Sequence, residues 1–266
     1  MIEELPCVNG IALKVAQITH IGGRDSNQDA LDEAKQDDLA CFVVADGAGG
    51  HAGGEIASKI VVKAIIGSFL QEVSFGIRAV QFYVESAVMK VRERKAAEPR
   101  LKDMSATVAT VLIDQKNSCA LWAHMGDTRI YLFRRGKIKA VTKDHSLVQQ
   151  FIDAGYCSPE QARGHPQRSV LFAAVGAEDG ILPEVIEEMV PVEDGDAFLI
   201  CTDGFWEWVD EDDMEESLVF ATTVEEWLSN MQRIAEKNSG NSSKSRDNYT
   251  AFAIWLGEPN IITVIR

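Results

Sequence analysis

The chain has 266 residues, 46% apolar and 25% charged, which is the balance of an ordinary globular protein and fits one large domain. A formal net charge of −15 argues against nucleic acid as a partner, and no stretch has the apolar length of a membrane span. Met1, Ile2, Glu3 and Glu4 lack the basic flank of a signal peptide, and the five cysteines form no Cys-x-x-Cys pair, so a cytoplasmic protein without a disulfide framework or zinc site is expected.

In chain order, residues 14–20 read as a first strand ended by Gly22 and Gly23. After the polar segment 24–29, the run Leu39–Ala45 reads as a strand buried on both faces, and these two strands are expected to pair. From Gly54 the apolar period becomes helical (Ile56, Ile60, Val61, Ala64, Ile65, Phe69), and a second helix is predicted over 75–95, closed by Pro99. The two form an antiparallel pair laid on a sheet. Runs 107–113, 120–124, 129–133 and 137–141 read as a four-strand meander with polar hairpin loops. A helix is predicted over 144–154, followed by an irregular excursion with one short helix over 156–169. Further strands are expected at 171–175, at 184–190 and into Asp203, helices from Asp210 and Thr223, a polar loop over 238–246, and a last strand Tyr249–Leu256. Paired helices among hairpins, without regular βαβ alternation, predict an α+β protein with antiparallel sheet. There is no Walker loop, dinucleotide fingerprint or internal repeat.

Four aspartates stand at the ends of these strands. Asp46 closes an apolar run and leads into Gly47, Ala48, Gly49, Gly50 and His51. Asp203 with Gly204 repeats the pattern, Asp127 follows Met125 and Gly126, and Asp247 precedes Asn248 and the last strand. Taken singly, each is ordinary turn chemistry. Repeated, they place carboxylates where strands converge and where glycine lets backbone approach a ligand closely. Mg²⁺ and Mn²⁺ take such oxygen donors. Asp46 can bridge two ions, the carbonyl of Gly47 can face one, and Asp203 and Asp247 can complete the first; two ions ~3.5–4 Å apart ionise a shared water for in-line attack on phosphorus.

Segments 24–29, 46–57, 105–110, 126–131, 201–204 and 247–250 resemble, in order and spacing, the signature motifs of the metal-dependent (type 2C, PPM) protein serine/threonine phosphatases of the bacterial stand-alone type. The resemblance implies a four-layer α-β-β-α sandwich of two antiparallel sheets flanked by helix pairs. It implies one catalytic domain over 1–266, with 143–169 as a flap beside the active site. Asp46 then matches the bridging carboxylate, Gly47 the carbonyl ligand, Asp203 and Asp247 the other ligands of the first ion, and Asp127, with Asp203, the holder of a third, weaker ion. Arg24 matches the arginine that grips phosphate, Asp29 an acid that orients water, and His51 the general acid for the leaving alkoxide. His20, His124, His145 and His165 have no match and read as structural.

Two departures accompany the match. Gln28 replaces the usual Glu, and Leu171, Phe172, Ala173 and Ala174 stand where many bacterial members carry an Arg before the glycine at 176. The implied function is hydrolysis of phosphoserine and phosphothreonine by a monomer using Mg²⁺ or Mn²⁺. The implied partner is a phosphorylated protein, the target of a Ser/Thr kinase or the kinase itself, with neither nucleic acid nor membrane insertion. Gln28 keeps open a phosphatase-like regulatory domain without turnover. A two-metal nuclease is disfavoured by the lack of a basic stripe.

Overall fold

The computed structural model describes residues 10–48, 53–177, 180–240 and 246–258. Strands β1 (Leu13–His20), β2 (Ala30–Gln36), β3 (Leu39–Ala45) and β4 (Gly47–Ala48) precede the long helices α1 (Gly53–Gln71) and α2 (Ile77–Ala97). Next come β5 (Ser105–Ala106), β6 (Val108–Asp114), β7 (Cys119–Met125), β8 (Arg129–Arg134) and β9 (Lys137–Val141), then α3 (Leu147–Asp153) and α4 (Pro159–Ala162). The chain continues through β10 (Glu184–Val185), β11 (Val190–Pro191), β12 (Ala197–Cys201), α5 (Asp203–Trp206), α6 (Glu211–Phe220), α7 (Val224–Gly240) and β13 (Tyr249–Leu256).

Two antiparallel sheets form, in the orders β1-β13-β12-β8-β9 and β10-β7-β6-β3-β2, with β11 also on β7. Side-chain alternation explains why they stack. Strands β3, β6, β12 and β13 are buried almost throughout, so both faces of each must be covered. In β3, Ala40, Phe42 and Val44 join Phe198, Ile200, Phe252 and Ile254 in a core between the sheets. Cys41, Val43 and Ala45 face the other way, onto Val61, Ile65 and Phe69 of α1 and Val80, Val84 and Val91 of α2. On the far side, Leu199, Cys201, Ala251 and Ala253 pack on Trp227, Leu228 and Met231 of α7 and Met214 and Leu218 of α6. The three cores separate four layers in the order helix pair, sheet, sheet, helix pair, which is the expected α-β-β-α sandwich. Helix ends follow local chemistry: Asp210 accepts from the Asp213 amide at 2.8 Å and Thr223 from that of Glu226 at 3.2 Å. Among the described residues no helix is long and apolar enough to cross a membrane.

The structure differs from the sequence reading in its pairings. β1 does not pair with β3: it lies on β13, from Leu13↔Leu256 to His20↔Tyr249. β3 sits between β6 and β2, and β2 was hidden by the polar composition of a half-exposed edge strand. The meander is two hairpins in different sheets, because the chain crosses from β7 to β8 through Gly126, Asp127 and Thr128, with Gly126 at φ 100°. Residues 171–175 make only single bridging pairs, Ser146↔Leu171 and Ala106↔Val175. The run 184–190 divides into β10 and β11, and α7 continues to Gly240 inside the predicted loop.

Candidate active site

Topology gathers the strand-end aspartates at one pole. β12 ends beside the start of β13 and of β8, in the pairs Cys201↔Ala251 and Cys201↔Arg129. Asp203, Asp247 and Asp127 therefore emerge together, and Asp46 leaves β3 from the facing sheet. Arg24, Asp46, Gly47, Asp127, Asp203 and Asp247 all line one cavity of about 470 Å³, together with Gln28 and Thr107. Asp29 is buried, its Oδ2 accepting from the Thr202 hydroxyl at 3.0 Å. His51 lies outside the described residues.

Hydrogen bonds fix the loops that carry these groups. The Asp46 amide donates to Thr107 Oγ1 at 2.8 Å, and the Thr107 amide donates back to the Asp46 carbonyl at 2.8 Å. Gly47 donates to the Gln28 carbonyl at 3.2 Å. A Cβ at Gly47 would lie 2.1 Å from the Gly54 carbonyl oxygen, so glycine is what lets the first turn of α1 close over this loop. Asn248 joins the Arg24 loop to Asp247. Its Nδ2 donates to the carbonyls of Ile21 (2.7 Å) and Ser26 (2.9 Å), and its Oδ1 accepts from the Gln28 amide at 2.9 Å. The indole N–H of Trp206, at the end of α5, donates to the Asp127 carbonyl at 2.9 Å.

The cluster holds its charge at a cost. Burial, with neighbouring carboxylates, raises Asp46 and Asp127 well above the usual range and also raises Asp203, against the pull of Arg168. Asp29 is pushed up to about 7, again chiefly by burial. Asp29 Oδ1 and Asp203 Oδ1 are buried without a hydrogen-bond partner. An all-oxygen donor set with orphaned lone pairs and mutual repulsion fits a hard divalent cation. Asp247 is already engaged: Oδ2 accepts from Arg24 Nη2 at 2.6 Å and Oδ1 from the Asn248 amide at 2.8 Å. The Arg24 side chain is 57% exposed and lines the cavity, with one of its donors on Asp247.

Among the described residues the cavity aspartates are not the tight metal-capable group. That group is instead His124, His145 and Glu184, with ligand atoms within 4.8 Å of one another. Hydrogen bonding accounts for it better than an ion. The two rings stack at 4.8 Å with 28° between their planes, so their in-plane lone pairs do not meet at one point. His124 Nε2 donates to the Lys143 carbonyl at 2.8 Å. His145 Nδ1 accepts from the Gly126 amide at 3.3 Å, which leaves its Nε2–H for Glu184 at 3.3 Å. A ligating imidazole would donate through its outer nitrogen, whereas His145 accepts there. The pair fastens the segment after β9 to β7, in keeping with the structural reading of both histidines.

Four contributors were missed in the sequence. Thr107 and Asn248 sit inside the quoted segments, but their roles exist only through partners distant in the chain. Trp206 reads as core. Arg168, from the irregular excursion, is buried and places Nη1 3.3 Å from Asp203 Oδ2 and Nη2 3.0 Å from Glu207. A cation among glycines and prolines reads as surface, and no local pattern signals otherwise.

Comparison with known proteins gives the family. Residues 16–245 match the family model described as protein phosphatase 2C. A serine/threonine phosphatase stp of Listeria monocytogenes is 30% identical over 196 residues, covering 72% of this chain and 76% of that protein. The crystal structure of the Mycobacterium tuberculosis serine/threonine phosphatase PstP/Ppp superposes with a TM-score of 0.80 at 29% identity, covering 93% of this chain and 100% of that one. A PstP catalytic domain in complex with two manganese ions gives a TM-score of 0.78 at 26% identity, covering 93% of this chain and all of that one. The chain belongs to the protein phosphatase 2C family, and it is an enzyme of that family's metal-dependent kind.

Proposed function

We propose that this protein hydrolyses phosphoserine and phosphothreonine in partner proteins, and that the cavity around Asp46 is where it does so. The observation that carries the reading is the convergence of Asp46, Asp127, Asp203 and Asp247 from four separate loops onto one cavity with Arg24 at its mouth. Asp46, the Gly47 carbonyl, Asp203 and Asp247 would hold two divalent ions, Mg²⁺ or Mn²⁺, and Asp127 with Asp203 a third, weaker one. Bound there, such ions supply positive charge beside the phosphate and lower the pKa of an attacking water.

The chain's own residues do the rest. Arg24, with one donor on Asp247, offers the rest of its planar, forked donor set to the phosphate oxygens. Asp29, held by Thr202 behind the cavity wall, serves to orient the attacking water. His51 supplies the proton for the departing serine or threonine oxygen. Gln28, an amide at the cavity wall, holds a water there by hydrogen bonding without adding charge. The chain works as one catalytic domain, 1–266, with 143–169 as a flap that meets the protein substrate. It acts as a cytoplasmic monomer on the target of a Ser/Thr kinase or on the kinase itself.

The test is hydrolysis of p-nitrophenyl phosphate and of a phosphothreonine peptide with Mn²⁺ and with EDTA, for wild type, Asp46→Asn and Asp203→Asn. Mn²⁺-dependent turnover in wild type alone, with all three proteins folded, supports the reading. Equal turnover in either variant places the chemistry elsewhere.

A further inference from the structure

Trp206 is 1% exposed, yet its ring is surrounded by charge. The guanidinium carbon of Arg129 lies 3.6 Å from the ring centroid, that of Arg168 5.0 Å and that of Arg163 5.6 Å. Each cation has a carboxylate of its own: Asp144 for Arg129 at 2.8 Å, Glu207 for Arg168 at 3.0 Å, and Glu211 for Arg163 at 2.8 Å. The cations are thus neutralised at their edges while their faces are free to meet the indole. Arg163 and Arg168 belong to the excursion after α3, and Arg129 opens β8. The indole N–H donates to the Asp127 carbonyl at 2.9 Å. Trp206 also closes α5, the four-residue turn that opens with Asp203.

We infer that Trp206 is a positioning residue that fixes the spacing of Asp127 and Asp203 and ties the 156–169 excursion to that pair. The inference rests on the reading of these aspartates as cation ligands. Neither carboxylate is placed by a sheet ladder. Asp127 lies in the two-sheet crossover, and α5 is too short to be stable as an isolated helix. The indole joins the two: its backbone is on the turn of Asp203 and its N–H is on the carbonyl of Asp127. Removing that N–H leaves a buried carbonyl without this donor, a loss large enough to weaken a site built on the spacing by roughly tenfold. The ring is a separate component, serving as the platform for the arginines of the excursion.

Three variants separate the two roles. Trp206→Phe keeps a ring and deletes the N–H. Trp206→Leu deletes both. Arg163→Ala removes a contact of the excursion and leaves the N–H in place. Mn²⁺ binding is followed by titration calorimetry, with bound ions counted by electron paramagnetic resonance, and order in the excursion by hydrogen exchange over 156–169.

Trp206→Phe is expected to weaken the weakest Mn²⁺ step about tenfold, leaving the tighter steps and the exchange of 156–169 unchanged. A merely structural role would not produce that selectivity. Arg163→Ala is expected to speed exchange over 156–169 without altering the tighter Mn²⁺ steps, and Trp206→Leu to do both. If Trp206→Leu fails to fold, Trp206→Phe decides alone. A wild-type Mn²⁺ isotherm in Trp206→Phe overturns the inference and leaves the metal site standing. A wild-type protein that binds no Mn²⁺ overturns the metal site itself.

Discussion

Asp29→Asn asks whether burial keeps this carboxyl protonated in the folded, metal-free protein. Burial lifts Asp29 from 3.8 to about 7, with Asp203 and Asp247 adding to the rise and hydrogen bonds from Thr250 and Thr202 opposing it. In metal-free protein the folded form therefore keeps a proton that the unfolded chain releases. The associated stability is fully present below the unfolded pKa and is lost as pH rises towards 7, at about 1.4 kcal/mol per pH unit. From about pH 5.5 to about pH 8, Asp29 alone should remove roughly 2 kcal/mol. An asparagine can still accept from Thr202 but cannot ionise, and the other aspartates titrate in both proteins. The assay is urea unfolding in EDTA at the two pH values. With an m-value of about 3 kcal/mol per M, the wild-type midpoint should fall by roughly 0.7 M more than that of Asp29→Asn. Added Mn²⁺ should recover the difference at the higher pH. Parallel pH shifts in the two proteins would refute the argument that this carboxylate is strained by its surroundings.

Other expectations follow from single contacts. Gly47→Ala places a Cβ 2.1 Å from the Gly54 carbonyl oxygen and should lower stability by about 1–3 kcal/mol while also reducing Mn²⁺ affinity, read by thermal melts with and without the ion. Gln28→Glu adds a carboxylate to the cavity wall; Mn²⁺ should bind more tightly, by roughly tenfold, as measured by calorimetry, while the EDTA-treated protein melts earlier. Arg24→Ala should raise KM several-fold with a smaller effect on kcat. Its ion pair with Asp247 is partly exposed, so denaturation should register a stability change below about 1 kcal/mol.

Burial and period made much of the fold legible. Strands β3 and β12 are apolar from end to end, β13 is apolar but for Thr250, and α1 and α2 repeat their apolar residues at helical steps, so each could be read locally. Sheet membership could not. The hairpins β6–β7 and β8–β9 look alike in sequence, and only distant partners decide that they belong to different layers. β2 escaped because an edge strand with Asp32, Glu33 and Lys35 has no apolar signature. At the site, the aspartates were legible because each stands where an apolar run starts or stops, three of them beside glycine. Thr107, Asn248, Arg168 and Trp206 were not, since each acts through partners far away in the chain.

The cavity straddles the seam between the sheets: Asp46 is carried by one, Asp203 and Asp247 by the other. The inter-sheet filling, with Phe42 against Phe252 at 5.6 Å and Trp122 against Phe198 at 6.0 Å, therefore works as the spacer of a caliper. Thinning or thickening that filling by a methylene, far from any reacting atom, would open or close the jaws. Selection on the spacing of these carboxylates can accordingly act through residues far from any substrate.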